Sequence, residues 1–329
     1  MENTKMKAIK IEHSCKVEDL VPRLVDKPTI KPGYVLINVK AFGVNESEVT
    51  SRKGESDGDF SYPRILGIEG TGVVAEVNDD SSFKVGQKVA TMMGGLGRAI
   101  DGTYAEYTLV KEENVIPIET QLDWETVGAL PEMLQTAYGS LNEGLQLKKD
   151  DVLLIRGGTS TVGLMAGVIA KDLGVTVIAT SRNPKKIDTL KKYGVDYPLL
   201  DDQEFEKNVK KITPAGVDKV LELVGLDTLF QDMSFLKKGG YACFTGALGG
   251  KWTIDNFSPF MIPTGVYLTS YAGEASDLPA DVFDSVLKKI EIHEISVPIA
   301  KAYHGLEEAS LAQSDLESGK ASGKRVVVL

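Results

Sequence analysis

A turn of small residues between a strand pattern and a helix pattern is the segment of this chain best suited to bind a phosphate. Residues 152–163 read VLLIRGGTSTVG: a short apolar strand, then glycines and hydroxyl side chains, then a helix start. Backbone N–H groups at a helix start point towards an anion, and the helix dipole favours negative charge there. We therefore expect phosphate contacts from six residues of this turn: Gly158, Thr159, Ser160, Thr161, Val162 and Gly163.

The glycine spacing of this turn departs from the usual dinucleotide-binding pattern. The positions of G-x-G-x-x-G fall on Gly158, Ser160 and Gly163, so the middle glycine is replaced. A Cβ at Ser160 limits the approach of a ligand to the backbone, but its hydroxyl could donate to a phosphate oxygen. Gly163 still allows the helix to pack closely on the strand. The alternative is a tight strand-to-helix turn that binds no ligand.

The next strand pattern ends in basic and hydroxyl side chains. NAD-binding domains usually place Asp or Glu about 20 residues beyond the glycines, where it binds the ribose 2′-hydroxyl. Here residues 173–187 contain no acid, and the segment carries Ser181, Arg182, Lys185 and Lys186. A 2′-phosphate needs donors and positive charge, which predicts NADPH in preference to NADH. The alternative is a solvated basic helix start, although basic charge is mildly unfavourable at a helix N-terminus.

The elements that must position these groups change in pattern along the chain. Residues from about 6 to 120 alternate short apolar runs with Gly, Pro and Asn or Asp, which is typical of a β-rich domain. From about 124 to 250, strand patterns alternate with helix patterns, which predicts parallel βαβ units. These patterns are strands at 152–155, 175–180, 217–224 and 241–246, with helices at 161–173 and 184–193. The tail has a helix pattern at 306–318 and a final strand at 325–329, for which the β-rich region is the expected host.

Composition narrows the possible functions. The length of 329 residues is enough for two domains, and the net charge of −10 disfavours binding to nucleic acid or to an anionic membrane. Two cysteines, Cys15 and Cys243, show no disulfide framework, which fits a reducing compartment. The longest apolar run, 162–170, is far shorter than the roughly 20 residues of a membrane span. We expect a cytoplasmic protein with a small-molecule substrate and no nucleic-acid or membrane partner.

Five motifs, in order, resemble those of the medium-chain dehydrogenase/reductase superfamily, and within it the zinc-independent quinone-oxidoreductase-like branch. They are AFGVN at 41–45, YPRILGIEGTGVV at 62–74, GTYAEY at 102–107, LPEMLQTAY at 130–138 and ESGKASGKRVV at 317–327. The resemblance implies an α/β fold with two domains. A GroES-like β-rich substrate domain would comprise residues 1–123 and 290–329, and a Rossmann domain with a doubly wound parallel sheet would comprise residues 124–289. A homodimer is also implied.

The resemblance implies further cofactor contacts by position. Ser181, Arg182 and Lys186 would surround the 2′-phosphate, and Tyr193 would lie beside the adenosine. Thr136 would lie near the nicotinamide ribose or a phosphate. The remaining contacts, towards the nicotinamide half of the cofactor, would come from Val224, Thr245, Gly246, Ala247 and Ser270, with Lys324 reaching in from the tail.

The zinc-ligand positions of the superfamily fall on residues unsuited to zinc. They correspond to Asn45, Ile68 and a position near Gln135, and none is a thiolate or an imidazole. Residues 85–115, where a structural zinc lobe would lie, contain no cysteine. We therefore expect no metal. Without a Lewis acid, hydride addition to a quinone or an α,β-unsaturated carbonyl is easier than alcohol oxidation.

Three residues are candidates for a catalytic role. Asn45 could bond the substrate carbonyl or the nicotinamide carboxamide, or could only close its own turn. Tyr62 could donate a proton or simply pack with its hydroxyl in water, and Gln135 could face the nicotinamide. The leading hypothesis is an NADPH-dependent reductase of quinones or enones. The alternatives are an enoyl- or acryloyl-thioester reductase and a low-turnover NADPH-binding protein of crystallin or sensor type.

Overall fold

The computed structural model describes residues 4–56, 58 and 60–329. The chain divides into two compact units: unit 1 is Met1–Gln135 with Glu274–Leu329, and unit 2 is Thr136–Gly273. In chain order the strands are β1 (Lys5–Ala8), β2 (Lys10–Ile11), β3 (Arg23–Asp26), β4 (Tyr34–Val44), β5 (Arg64–Ile65), β6 (Glu69–Val77), β7 (Lys88–Met92), β8 (Tyr107–Lys111), β9 (Val115–Pro117), β10 (Val152–Arg156), β11 (Thr176–Ser181), β12 (Tyr197–Leu200), β13 (Val217–Glu222), β14 (Leu236–Phe244), β15 (Tyr267–Ser270), β16 (Ile299–His304) and β17 (Lys324–Val328). The α-helices are α1 (Glu46–Lys53), α2 (Trp124–Gly128), α3 (Pro131–Gly139), α4 (Thr161–Asp172), α5 (Ile187–Lys192), α6 (Phe205–Ile212), α7 (Leu226–Met233), α8 (Ala280–Glu291) and α9 (Ala309–Ser318).

The main sheet of unit 1 draws strands from both ends of the chain. Its strands are hydrogen-bonded in the order β16-β17-β4-β6-β7-β9, and β8 also pairs with β4. On β4, Val35 and Ile37 are buried and pack with Val74 of β6. The last strand, β17, lies antiparallel to β4 with Val327 opposite Phe42. The prediction that the tail joins the β-rich region is confirmed.

Unit 2 contains a sheet of six parallel strands in the order β12-β11-β10-β13-β14-β15. Counted from β10 this is the 3-2-1-4-5-6 order of a Rossmann domain. Leu154, Ile178 and Val220 come from three adjacent strands and pack with Phe205 and Leu229 of the crossover helices. In such a sheet a ligand binds outside the carboxyl ends of the strands where the order reverses, here between β10 and β13. The predicted fold class is confirmed.

Two helices that the sequence boundaries assigned to the Rossmann domain lie in unit 1. Helix α2 packs on β4 and β17. Helix α8 is tied to the segment after β9, because the carboxylate of Glu291 accepts bonds from the Thr120 hydroxyl at 2.5 Å and the Gln121 N–H at 2.9 Å. The compact units therefore meet along the chain at 135/136, inside α3, and at 273/274. The domain roles assigned from the sequence stay a prediction.

Candidate functional site

The expected phosphate turn is hydrogen-bonded to the neighbouring strand β11. Gly157 has a φ of +80° and donates its N–H to Thr180 Oγ1 at 3.1 Å. Gly158 donates its N–H to the carbonyl oxygen of the same threonine at 3.0 Å. The left-handed backbone at position 157 favours glycine, and β11 fixes the position of the turn.

Two glycines of this turn lie where no Cβ fits. A Cβ on Gly163 would lie 2.7 Å from the carbonyl oxygen of Gly157, and one on Gly158 would lie 2.7 Å from the Cβ of Ala179. Both distances are well below van der Waals contact, so a side chain at either position would force α4 or the turn outward. The predicted close packing at Gly163 is confirmed.

Ser160, in place of the middle glycine, caps helix α4. Its φ of −68° and ψ of 163° are values that any L-residue adopts, so its conformation does not require glycine. Its hydroxyl accepts the N–H of Gly163 at 3.1 Å and donates to the carbonyl of Gly157 at 2.9 Å. The hydroxyl proton is therefore used within the turn. The N–H groups of Thr161 and Val162 begin the helix, have no acceptor within it and are suited to bind an anion.

The end of β11 combines a buried serine with exposed basic side chains. The Ser181 hydroxyl is buried, donates to the carbonyl of Asn183 at 3.1 Å and accepts the N–H of that residue at 3.1 Å. Arg182 is exposed and Lys186 is half-buried. Tyr193, which follows α5, is buried. Arg182 is therefore the predicted 2′-phosphate ligand whose side chain is most open to an anion, while the serine shapes the turn.

The turns after β13 and β14 depend on Glu222, a residue that sequence reasoning missed. Its Oε1 accepts the N–H groups of Val224 at 2.7 Å and Gly225 at 3.0 Å. Its backbone carbonyl accepts the N–H groups of Thr245 at 3.0 Å and Gly246 at 3.2 Å. One buried glutamate thus binds the backbone N–H groups of three residues that are predicted to contact the cofactor. The family motifs do not mark this position; the only sequence signal is an acid at the end of a buried strand.

The remaining predicted contacts of unit 2 follow neighbouring elements. Ala247 is buried just after β14, and Ser270 ends β15 with its side chain exposed. Thr136 lies in α3, where its carbonyl accepts the Ser140 hydroxyl at 2.6 Å. Ser140 Oγ also bonds Thr245 Oγ1 at 2.9 Å. The parallel order of the strands brings the strand-end residues to the carboxyl edge of the sheet.

A separate cluster of buried charges surrounds Lys324 in unit 1. Its Nζ pairs with Glu69 at 2.6 Å and Glu132 at 2.8 Å, and it also donates to Asn45 Oδ1. Burial alone would lower the pKa of Lys324, but the carboxylates of Glu132 and Glu69 outweigh this effect and raise it. The ammonium's three donors are all used, which favours a structural role for Lys324 over a cofactor contact.

Glu48 adds a third buried carboxyl to this cluster. It accepts the N–H groups of Asn45 at 2.8 Å and Ile68 at 3.0 Å. Burial raises the pKa of Glu48 to about 7, despite the opposing hydrogen bond from Ile68. Near neutral pH, protonation of Glu48 therefore reduces the excess of negative charge in the cluster.

Comparisons with known proteins agree with this two-part structure. The family model described as "Alcohol dehydrogenase GroES-like domain" matches residues 31–120, and the one described as "Zinc-binding dehydrogenase" matches residues 161–288. Human quinone oxidoreductase is 26% identical over 317 residues, which cover 92% of this chain and 91% of that protein. A 2-haloacrylate reductase from a Burkholderia species is 30% identical over 226 residues, which cover 67% of this chain and 66% of that protein. A mycobacterial protein solved in complex with NADPH has a TM-score of 0.83 and 25% identity, covering 98% of this chain and 100% of its own.

The chain is a medium-chain dehydrogenase/reductase. It belongs to the quinone-oxidoreductase-like branch of that superfamily and is an oxidoreductase. The superfamily binds a nicotinamide cofactor, which agrees with the Rossmann order of unit 2. Among the described residues, no group of three or more His, Cys, Asp or Glu side chains could hold a metal ion, and no helix could cross a membrane.

Asn45, at the position that corresponds to the first zinc ligand of the superfamily, is hydrogen-bonded at both the nitrogen and the oxygen of its amide. Its amide nitrogen donates to Glu69 Oε1 at 3.0 Å and to Glu48 Oε1 at 3.4 Å, and its Oδ1 accepts from Lys324. The Asn45 side chain also forms a reciprocal capping box with Glu48 at the start of α1. In this medium-chain dehydrogenase/reductase, both amide donors of Asn45 are therefore used, and a bond from Asn45 to a substrate carbonyl would require one of them to be released.

The two other catalytic candidates of this dehydrogenase/reductase are bonded to backbone carbonyls. The Tyr62 hydroxyl donates to the carbonyl of Ser51 at 2.8 Å, and burial raises the pKa of Tyr62. Gln135 is buried, and its Nε2 donates to the carbonyl of Glu274 at 3.0 Å. A proton transfer from Tyr62 would first have to break its bond to Ser51. The catalytic roles of both residues stay predictions.

Substitution of Lys324 by Met tests the buried cluster. Loss of the ammonium leaves carboxylates buried without a cation, so we expect a loss of about 3–5 kcal/mol in the free energy of unfolding at pH 8. Without the cation the pKa values of the buried carboxyls rise. Groups with raised folded-state pKa values lose stability as the pH increases, so the loss will be smaller at pH 5. Equilibrium urea unfolding at both pH values measures this, with the exposed Lys320→Met as the control. An equal loss at the two pH values would contradict the assignment.

Proposed function

We propose that this protein transfers a hydride from NADPH to a quinone or an α,β-unsaturated carbonyl compound without a zinc ion. The observation that carries the cofactor choice is the end of β11, where exposed Arg182 stands in place of an acid. An acid at this point binds the 2′-hydroxyl of NADH and repels a 2′-phosphate, whereas a guanidinium binds the phosphate with charge-assisted hydrogen bonds.

The residues of unit 2 fit a dinucleotide. The first N–H groups of α4, at the end of the strand-to-helix turn, suit a pyrophosphate. NADPH supplies the hydride when bound. We propose that it is held at the phosphates by Gly158, Thr159, Ser160, Thr161, Val162 and Gly163, at the 2′-phosphate by Arg182 and Lys186 with Ser181 shaping the turn, at the adenosine by Tyr193, and at the nicotinamide half by Thr136, Val224, Thr245, Gly246, Ala247 and Ser270.

We propose that Asn45 positions the buried charges of unit 1, because its amide donates to Glu69 and Glu48 and accepts from Lys324. A zinc-dependent mechanism is less well supported because Ile68, whose apolar side chain cannot ligate, lies at the second ligand position.

An activated acceptor suits a site without a Lewis acid. A quinone or enone delocalises the incoming charge onto its own oxygen, so the protein needs only to orient it and exclude water. The names of two relatives, human quinone oxidoreductase and a 2-haloacrylate reductase, support acceptors of this kind. A thioester reductase and a low-turnover NADPH-binding protein are the alternatives, and the internally bonded Ser160 hydroxyl is the observation that favours the latter.

Turnover of a panel of acceptors tests this function. We expect oxidation of NADPH, followed by its absorbance, with quinones and enones and little with simple aldehydes, because only the former stabilise the added charge themselves. The same panel with NADH serves as the control. Tight NADPH binding without turnover of any acceptor would contradict the enzyme proposal and favour a binding protein.

Substitution of Arg182 by Ala tests the cofactor choice. Loss of a charge-assisted contact of about 1.5–3 kcal/mol should raise the Kd for NADPH about ten- to a hundredfold and leave the Kd for NADH nearly unchanged. Isothermal titration with both cofactors measures this. Lys191→Ala is the matched control, because Lys191 is an exposed cation on α5 that pairs with Asp188. Equal losses for NADPH and NADH would refute the role of Arg182.

We also propose that the protein forms a homodimer through strand β15. This strand lies at one edge of the six-stranded sheet, and Tyr267 at its start is 53% exposed and stacked on Tyr241. An open sheet edge pairs readily with a second strand, and a lysine on the edge opposes that pairing. We expect Tyr267→Lys to shift the protein from dimer to monomer in sedimentation velocity. Tyr197→Lys on β12, at the opposite edge, is the control, and a monomeric wild-type protein would contradict the proposal.

A further inference from the structure

A buried group of charges lies beneath the predicted cofactor turns of unit 2. The Arg156 guanidinium, at the end of β10, binds Asp232 Oδ1 through Nη1 at 2.6 Å. It binds Asp201 Oδ1 through Nη2 at 2.6 Å and Asp201 Oδ2 through Nε at 3.2 Å. The guanidinium also stacks 4.3 Å from the ring centroid of Phe205. One cation thus contacts two carboxyl groups, and its side chain is only 4% exposed.

A third carboxyl, that of Glu222, contacts the same group through Asp232. The carboxyl groups of Glu222 and Asp232 interact with each other, and both residues are 0% exposed. Two ionised carboxylates carry only acceptors, so a hydrogen bond between them requires one proton. Two buried carboxylates in contact would also repel each other strongly. The contact therefore implies that one of the two is protonated.

The hydrogen-bond partners decide which carboxyl holds the proton. Glu222 accepts three bonds: the N–H groups of Val224 and Gly225 at Oε1, and the Thr228 hydroxyl at Oε2 at 3.0 Å. Such donors stabilise an ionised carboxylate. Asp232 Oδ2 is buried and accepts no hydrogen bond from a described donor. Burial raises the pKa of Asp232 well above its usual range, although Arg156 opposes the effect. The proton therefore lies on Asp232 Oδ2 and is donated to Glu222.

We infer that this shared proton positions the turn at Val224 and Gly225, which makes Asp232 a positioning residue for the cofactor. The inference rests on the proposed function for its link to NADPH. Asp232 donates to Glu222, and Glu222 holds the two backbone N–H groups that follow β13. Gly225 has a φ of +130°, so this turn adopts a conformation that L side chains rarely adopt and that these bonds must maintain.

Each element packed around the proton contributes one charged group. Arg156 comes from β10, Asp201 follows β12, Glu222 ends β13 and Asp232 lies on α7. With Asp232 neutral, the Arg156 guanidinium is paired with the Asp201 carboxylate, and Glu222 is the second carboxylate of the group. Ionisation of Asp232 would place its charge against that of Glu222 with no additional cation, so Asp232 retains its proton on folding although it is ionised in the unfolded chain above its ordinary pKa.

The first experiment uses the pH dependence of unfolding to test whether the folded protein retains one proton that the unfolded chain releases. The folded protein holds a proton that the unfolded chain releases, so the unfolding equilibrium constant should rise with pH, by about tenfold per unit for one proton. Asp232→Asn removes this step, because its amide N–H replaces the proton permanently. We expect the ratio of the wild-type constant to the Asp232→Asn constant to increase about a hundredfold from pH 5 to pH 7. A ratio that does not change would overturn the shared proton.

The unfolding signal and the control come from unit 2 itself. Trp252 reports on unit 2 in a Trp124→Phe background, since the chain has two tryptophans. Asp227→Asn, on the same helix α7, is the control, because Asp227 pairs with Lys251 and its loss leaves Arg156, Asp201, Glu222 and Asp232 in place. We expect Asp227→Asn to keep the wild-type pH dependence of unfolding.

The second experiment measures NADPH binding at pH 7. Asp232→Asn should keep the Kd for NADPH within about threefold of wild type, because its amide accepts from Arg156 and donates to Glu222. Asp232→Ala should raise the Kd for NADPH at least tenfold, because alanine can make neither hydrogen bond. The difference between the Ala and Asn variants then measures the contribution of these bonds to cofactor binding. Wild-type affinity in the folded Ala variant would overturn the positioning role. Failure of the wild-type protein to bind NADPH would overturn the proposed function and the cofactor link, whereas the pH dependence of unfolding decides the shared proton independently.

Discussion

Burial of the Arg156 guanidinium is the constraint on which the carboxyl edge of unit 2 depends. A buried cation must be paired and fully hydrogen-bonded, and removal of one partner of such a pair costs about 3–5 kcal/mol. Arg156 meets this requirement with Asp201 and Asp232, which come from different crossover units of the sheet. The same pairing places Asp232 against Glu222, and Glu222 holds the turns after β13 and β14. A chain of contacts through Asp232 and Glu222 therefore connects β10, which leads into the phosphate turn, to residues that are predicted to contact the nicotinamide half of the cofactor.

The phosphate turn shows how a side chain can replace a glycine without loss of the local geometry. Gly163 and Gly158 are required by close contacts between backbone and neighbouring atoms, whereas Ser160 adopts an ordinary extended conformation and caps the helix. The replacement removes open space near a ligand but adds two hydrogen bonds within the turn. A more rigid turn and fewer free donors for a phosphate are the two consequences of this exchange.

Unit 1 also contains a buried cation that must be paired, but here the cation is the Lys324 ammonium. The region where zinc-dependent relatives in this superfamily hold a metal is represented here by Asn45 and Ile68, and the adjacent cation is the ammonium of Lys324. Because its carboxylate partners and Asn45 use all of its donors, this ammonium has no N–H left to donate to a substrate. Its effect is to fix the orientation of the Asn45 amide, whose oxygen accepts from Lys324 and whose nitrogen donates to Glu69 and Glu48. A hydride acceptor that stabilises its own charge is consistent with this arrangement.

The sequence by itself determined the order of the elements, the Rossmann class of unit 2 and the glycines of the phosphate turn. These features are local, since they follow from the period of apolar residues and from the backbone freedom of single positions. The acid-free end of β11 could also be recognised, because it lies at a set distance after the glycines. Only the tertiary structure decided the partners of Arg156, Glu222 and Lys324. Their hydrogen bonds join residues far apart in the chain, and no local pattern specifies which distant carboxylate will face a given cation. For the same reason, the sequence could suggest a donor role for Asn45, but only its folded neighbours showed that both donors are already used.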